Sequence, residues 1–273
     1  MPQPVSVIVP AYNEGERLGA SVSQILSYLR PAPVGSELII VDDGSGDSTV
    51  EVAEQAIAEN QPAAARVIKL GRNRGKGFAV RTGMLAAANR LALFSDADLS
   101  TPITELPKLI EPIERGTCDV TFGSRALDRS LIGRHQPWTR EQGGRVMNLI
   151  IRVATGMQFW DTQCGFKAFD LGRCRPLFEA AQIDRFGFDV ELLYLMKIAG
   201  LQLCEIPVRW DHADGSKLSV FRDTRRTIME IAAVKRHRAR GDYDAALEAT
   251  RELLSNREPN SGTGGTLAAA NGR

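Results

Sequence analysis

Two carboxylates spaced i, i+2, Asp96 and Asp98, close the run Leu91-Ala92-Leu93-Phe94-Ser95. The apolar stretch reads as a buried parallel strand. Aspartate is a poor strand former, so the pair falls just past the strand's carboxyl end. In open α/β sheets that edge is where ligands bind. Two hard oxygen donors there suit Mg²⁺ or Mn²⁺ shared with the phosphates of a substrate. This is the chemistry of a metal-dependent enzyme acting on a nucleotide-linked substrate. An isolated Asp-x-Asp is more often a solvated turn or a helix cap, so its company must decide.

The elements that would position the pair alternate along the chain. Strands are expected at 5–9, 38–41, 66–70, 91–94 and 119–122. Helices are expected between them, for example where Leu18, Val22, Ile25, Leu26 and Leu29 recur at helical spacing. This alternation predicts βαβ units and a mainly parallel sheet with helices on both faces. Beyond Gly123 the pattern changes. Residues 124–140 carry Arg125, Arg129, Arg134 and Arg140 with few apolar residues, which predicts a mobile loop. A helix over 145–156, a strand over 164–169, helices over 171–181 and 190–199, and a strand over 203–208 follow. Residues 221–256 read as helical with a break near Gly241, and 257–273 as a disordered tail.

Further acidic residues follow the first two strands: Glu14, then Asp42 and Asp43. In a doubly wound sheet these ends line one crevice with Asp96 and Asp98. An aspartate after the second strand can accept hydrogen bonds from a base or a ribose hydroxyl. A plain turn with Asx bonding would explain Asp42-Asp43-Gly44-Ser45 equally well. Asn73-Arg74-Gly75-Lys76-Gly77 has the composition of a phosphate cradle but not the spacing of a P-loop. GxGxxG is missing from the first strand–helix turn, which argues against a dinucleotide-binding dehydrogenase.

Bulk properties narrow the classes. A net charge of +1 over 273 residues offers no general argument for nucleic acid binding. Cys118, Cys164, Cys174 and Cys204 form no CxxC pair and no zinc spacing, so reduced thiols in a cytosolic protein are expected. No signal peptide is expected from the first residues, and no transmembrane helix is expected, because no apolar run reaches about 18 residues. Residues 221–240 combine seven Arg and Lys with Ile228, Ile231 and Val234. That is a basic amphipathic helix, suited either to an anionic membrane surface or to packing its stripe on the domain.

The ordered set Pro10-Ala11-Tyr12-Asn13-Glu14, Val41-Asp42-Asp43-Gly44-Ser45, Asn73-Arg74-Gly75-Lys76-Gly77 and Asp96-Ala97-Asp98 resembles the family 2 glycosyltransferases of GT-A fold. The resemblance spans roughly residues 4–220. It implies a GT-A domain over 1–220, a helical extension over 221–256 and a tail over 257–273. It also implies a sugar-nucleotide donor, a divalent metal and inversion at the anomeric carbon. Carried over, Pro10, Tyr12, Glu14, Asp42, Asp43, Lys76 and Asp96 bind the donor, and Asp96 and Asp98 the metal. The second half, with Gly123-Ser124-Arg125, Asp161-Thr162-Gln163-Cys164-Gly165-Phe166-Lys167, Arg185-Phe186-Gly187-Phe188-Asp189-Val190-Glu191 and Gly215-Ser216-Lys217, looks like the dolichyl-phosphate β-glucosyltransferases and the polyprenyl-phosphate mannosyltransferases. Eukaryotic members of that group carry an N-terminal membrane helix, whereas this sequence starts at the catalytic domain. The implied donor is UDP-glucose and the implied acceptor a polyprenyl or dolichyl phosphate.

A phosphate monoester is largely ionised at neutral pH, so it needs cationic positioning more than a strong base. Arg125, with Arg134 or Arg140, is expected to hold it by bidentate contacts. Asp161 is expected to orient the acceptor or act as a base, and Lys217 to reach the leaving UDP. Asp189 and Glu191 read equally well as helix-start carboxylates. The expected location is cytoplasmic, with peripheral contact to the membrane face. Two rivals are a soluble or protein acceptor and a non-catalytic nucleotide-sugar-binding protein.

Overall fold

The computed structural model describes residues 3–61, 64–134, 138–212 and 220–256. β1 (Val5–Ala11), β2 (Glu37–Asp42), β3 (Ala65–Lys69), β4 (Leu91–Ser95) and β5 (Val120–Ser124) follow the expected strands within one or two residues. They alternate with α1 (Leu18–Leu29), α2 (Thr49–Glu59), α3 (Lys76–Ala86) and α4 (Leu106–Glu114). Next come β6 (Ile132–Arg134), α5 (Trp138–Thr155), β7 (Phe166–Asp170), α6 (Leu171–Ala180) and α7 (Phe188–Ala199). β8 (Leu203–Pro207), β9 (Trp210–Asp211), α8 (Val220–Arg240) and α9 (Asp244–Ser255) end the described chain.

The main sheet has the order β3-β2-β1-β4-β7-β5-β8. Every neighbouring pair is parallel except those made by β7, which runs antiparallel to both β4 and β5. Strand side chains alternate between faces, and the core divides accordingly. Val5, Val7, Val9, Leu38, Ile40, Leu91 and Leu93 pack with α1, α2 and α4. Ile8, Ile39, Val41, Ala92 and Phe94 pack with α3 and α5 to α9. The near-continuous apolar runs of β1, β2 and β4 are therefore the signature of strands covered on both faces. The carboxyl ends of β1, β2, β4 and β5, with the start of β7 between the last two, form one edge.

Three expectations are corrected. Residues 124–140 are not simply a mobile loop. They include a 3₁₀ turn at Arg129–Leu131 and β6, which pairs in parallel with β9. That pairing joins residues far apart in sequence, so local composition could not reveal it. The helix expected from 145 begins at Trp138. Finally, Cys118 and Cys204 are joined in a disulfide, while Cys164 and Cys174 are free and buried. The pair is 86 residues apart in sequence, and the adjacency of β5 and β8 brings the two together. The break near Gly241 falls between α8 and α9, where Gly241 has a φ of 82°. Among the described residues no helix is long and apolar enough to cross a membrane.

Candidate functional site

The first half of the crevice is shaped by carboxylates bound to main-chain N–H groups. Asp42 ends β2 and accepts from the backbone of Gly44 and Ser45, an Asx turn. Asp43 accepts from the N–H of Arg74 and Gly75, at 2.7 and 2.8 Å. Both aspartates are buried. Together they fix the 42–48 turn and draw the 71–77 loop against it. Gly75 has a φ of 112°, and a Cβ there would lie 2.4 Å from the carbonyl oxygen of Asp184. After β1, Asn13 takes a left-handed φ of 53° and bonds Ser45 and Gly46. Glu14 forms an ion pair with Arg17. Pro10 is buried at the end of β1, and Tyr12 presents an exposed ring at the rim.

Asp96 and Asp98 lie one turn beyond β4, where Leu99 has a φ of 47°. A bulky residue in that region stores about 1–3 kcal/mol of strain, a feature that gathers at functional turns. Lys76, the first residue of α3, places its ammonium 2.5 Å from Asp96 Oδ1. Enclosure pulls the Lys76 pKa down, but Asp96 and Asp189 outweigh it and hold the amine charged. Asp98 accepts from the N–H of Ser100 at 3.0 Å. The carboxylate of Asp96 rests on Gly165, where any Cβ would fall 2.0 Å from Oδ2. Among the described residues, no group of three or more His, Cys, Asp or Glu can hold a metal by itself. Two hard carboxylates on one turn still fit Mg²⁺ or Mn²⁺, provided substrate phosphates and water complete the shell.

The second half is cationic. Arg125 follows β5 and forks onto Asp161, Nε to Oδ2 at 2.6 Å and Nη2 to Oδ1 at 2.8 Å. Its backbone N–H reaches the same carboxylate. Burial pushes the Asp161 carboxyl up, but the Arg125 charge and hydrogen bonds hold it below its ordinary value. A carboxylate so held is a poor proton acceptor. Glu205 on β8 accepts from the N–H groups of Trp160 and Asp161 and anchors their loop. Burial raises its own pKa. Beside the pair opens a cavity of about 510 Å³. Its walls carry Arg125, Arg129, Arg145 and Arg152 with apolar Ile132, Leu149, Trp160 and Trp210. Arg152 stacks on Trp160 at 4.6 Å. The two halves meet at β7: Gly165 accepts from the Asp96 N–H at 3.0 Å, and Asp161 to Gln163 line the cavity.

The structure thus brings together Asp96, Asp98 and Lys76, and separately Arg125 and Asp161. Arg134 lies on β6, exposed, and is not among the described cavity residues. The side chain of Arg140, Lys217 and the 257–273 tail lie outside the described residues. Sequence reasoning passed over Arg145 and Arg152, whose spacing of seven on one helix was the available signal. It included Lys167 in a motif without giving it a role; the residue is buried and pairs with Asp189 at 2.7 Å while donating to the Cys164 carbonyl. Burial raises the Asp189 carboxyl despite that partner. Glu191 accepts from Gln182, Ile183 and Tyr243, tying α7 to α9 rather than facing the crevice.

Residues 6–173 match the model of glycosyl transferase family 2. A dolichyl-phosphate beta-glucosyltransferase of Drosophila melanogaster is 38% identical over 228 residues, covering 80% of this chain and 70% of that protein. The Homo sapiens protein of that name is 35% identical over 233 residues, covering 80% and 70%. Among solved structures, glucosyl-3-phosphoglycerate synthase from Mycobacterium tuberculosis with Mn²⁺, UDP and phosphoglyceric acid superposes with a TM-score of 0.62. It is 20% identical and covers 85% of this chain and 78% of its own. That likeness shows the fold, the GT-A arrangement.

Proposed function

The chain belongs to glycosyl transferase family 2, and from that premise we propose that it transfers glucose from UDP-glucose to a dolichyl or other polyprenyl phosphate. The relatives named above support the donor sugar and the acceptor class. The observation that carries the reading is the cavity beside the donor crevice, which joins four arginines to apolar walls. A soluble acceptor needs the cations but not the apolar walls. A lipid phosphate uses both.

In this reading, the acceptor phosphate oxygen forms a bond to the anomeric carbon as the bond to UDP breaks. Attack comes from the face opposite the leaving group and yields a β-linked product. No proton need be removed, because the acceptor is already ionised. Arg125 contributes a fixed guanidinium to the acceptor side, and Asp161 orients it through the two-point fork. The low pKa direction of Asp161 supports orientation rather than base catalysis. Lys76 offsets charge on the donor diphosphate. Asp96 and Asp98 would hold Mg²⁺ or Mn²⁺, which would neutralise charge on the leaving diphosphate. Asp42 and Asp43 shape the nucleoside end through the loops they fix. The enzyme would work as a peripheral protein on the cytoplasmic face of the membrane that carries its acceptor.

The test is transfer by the purified protein from labelled UDP-glucose or GDP-mannose to a polyprenyl phosphate. Organic-phase label from UDP-glucose alone is expected. Label from GDP-mannose alone would reassign the donor. Transfer only to water-soluble acceptors would remove the lipid reading.

A further inference from the structure

Resting on the lipid-phosphate reading, we infer that the outer face of α5 is the surface that seats this enzyme on the membrane. α5 turns Met147 and Ile151 into the core. At positions spaced three and four apart, Val146, Leu149 and Val153 point outward, and Val153 is 80% exposed. Single exposed apolar residues need no explanation, but three on one helical face form a stripe. The stripe continues into the site, since Leu149 and the exposed Trp160 both line the arginine cavity. An isoprenoid could therefore pass from a bilayer along Leu149 and Trp160 with its phosphate among the arginines.

The charge around the stripe suits an anionic lipid surface. Arg145 and Arg152 stand one heptad apart on α5, and Arg152 stacks on the Trp160 ring. An indole with a guanidinium beside aliphatic side chains matches the boundary between headgroups and acyl chains. A second copy of the chain fits less well. Four partly exposed side chains present on the order of a few hundred Å², below the roughly 800 Å² per partner of a stable dimer.

The sequence left α8 open either to a membrane contact or to packing its stripe of Ile228, Ile231 and Val234 on the domain. In the structure Ile231 and Val234 are buried with Thr227 and pack on the domain, whereas Ile228, the first residue of that stripe, is 43% exposed. α8 packs against α5, and its Ile228 and Met229 remain exposed. The basic residues Lys235, Arg236 and Arg240 of α8 are exposed and would add attraction to anionic lipid.

The test uses the full chain and V146E/V153E, two positions outside the cavity wall. Vesicles of phosphatidylcholine with one fifth phosphatidylserine are sedimented with each protein at low salt. Wild type is expected in the pellet, with the variant's bound fraction down at least about fivefold. Turnover on long-chain polyprenyl phosphate in those vesicles should fall about tenfold, while turnover on a water-soluble ten-carbon prenyl phosphate stays unchanged. Equal thermal melting would show that both proteins are folded. Vesicle binding equal to wild type would overturn the inference. So would a wild-type dimer that the variant breaks without loss of vesicle binding. If wild type pellets, the variant does not, and neither uses any prenyl phosphate, the acceptor reading falls and the membrane face stands.

Discussion

In the donor half of the crevice, Asp42 and Asp43 spend their charge on main-chain N–H groups, and Asp96 meets one ammonium. In the acceptor half, Arg125 meets Asp161 across 36 residues, and three further arginines gather from a turn and a helix. The donor half is built from short turns, each directly after its strand. The acceptor half is assembled by contacts among β5, α5, β7, β8 and β9. The first is anionic and turned to its own backbone, as suits a metal–diphosphate and a nucleoside. The second is cationic with apolar walls, as suits an ionised headgroup on a hydrocarbon chain. Each half also carries an ion pair, Lys76 with Asp96 on the donor side and Arg125 with Asp161 on the acceptor side.

Breaking the donor half should have the largest effect on turnover. Asp98→Ala is expected to lower kcat by about a thousandfold, on the scale of losing a preorganised charge contact. Asp98 is partly exposed, so the melting temperature should barely move. Near-wild-type turnover, measured with labelled donor, would undo the assignment of that half.

Arg125→Ala should damage the acceptor half in a different way. It leaves the Asp161 carboxylate buried and unpaired, at a cost of about 3–5 kcal/mol in urea unfolding. R125A/D161N should recover much of that stability but not turnover. If the double variant recovers both, the pair is structural only.

Gly165→Ala probes the junction of the halves. Its Cβ would meet the Asp96 carboxylate at 2.0 Å, and crowding of this kind costs about 1–3 kcal/mol. Donor affinity by calorimetry should weaken as Asp96 shifts. Unchanged affinity would mean that the Asp96 position is not required for donor binding.

The smallest effect concerns acid. Asp161 has its folded pKa depressed, so its contribution is full above the ordinary carboxylate pKa. That contribution is lost as pH falls through the depressed value. Circular dichroism across that acid range should show wild type losing stability, with a shallower loss in D161N. Parallel pH curves for the two proteins would show that the pair contributes nothing to stability.

Most of the sheet was legible because strands covered on both faces must be apolar along their length. Leu91 to Phe94 and Leu38 to Val41 are such runs, and each ends where a carboxylate appears. The antiparallel course of β7 was not legible, since Phe166 to Asp170 carries the same apolar signal whichever way it runs. Nor was the Cys118–Cys204 disulfide, because spacing along the chain does not report distance between strands. Arg145 and Arg152 carried no assigned role in the sequence, and only the fold set them in one cavity lining with Trp160 and Asp161.

By itself the sequence determined the alternation of strands and helices and the family-specific donor turns. Those features are local: periodicity, turn chemistry and the short reach of Asp42 or Asp96 from its own strand. Only the tertiary structure decided that Arg125 is forked onto Asp161, that α8 buries Ile231 and Val234 while leaving Ile228 exposed, and that α5 exposes its own stripe beside the arginine cavity. Pairing and exposure depend on which distant surfaces meet, and local sequence carries no measure of that distance.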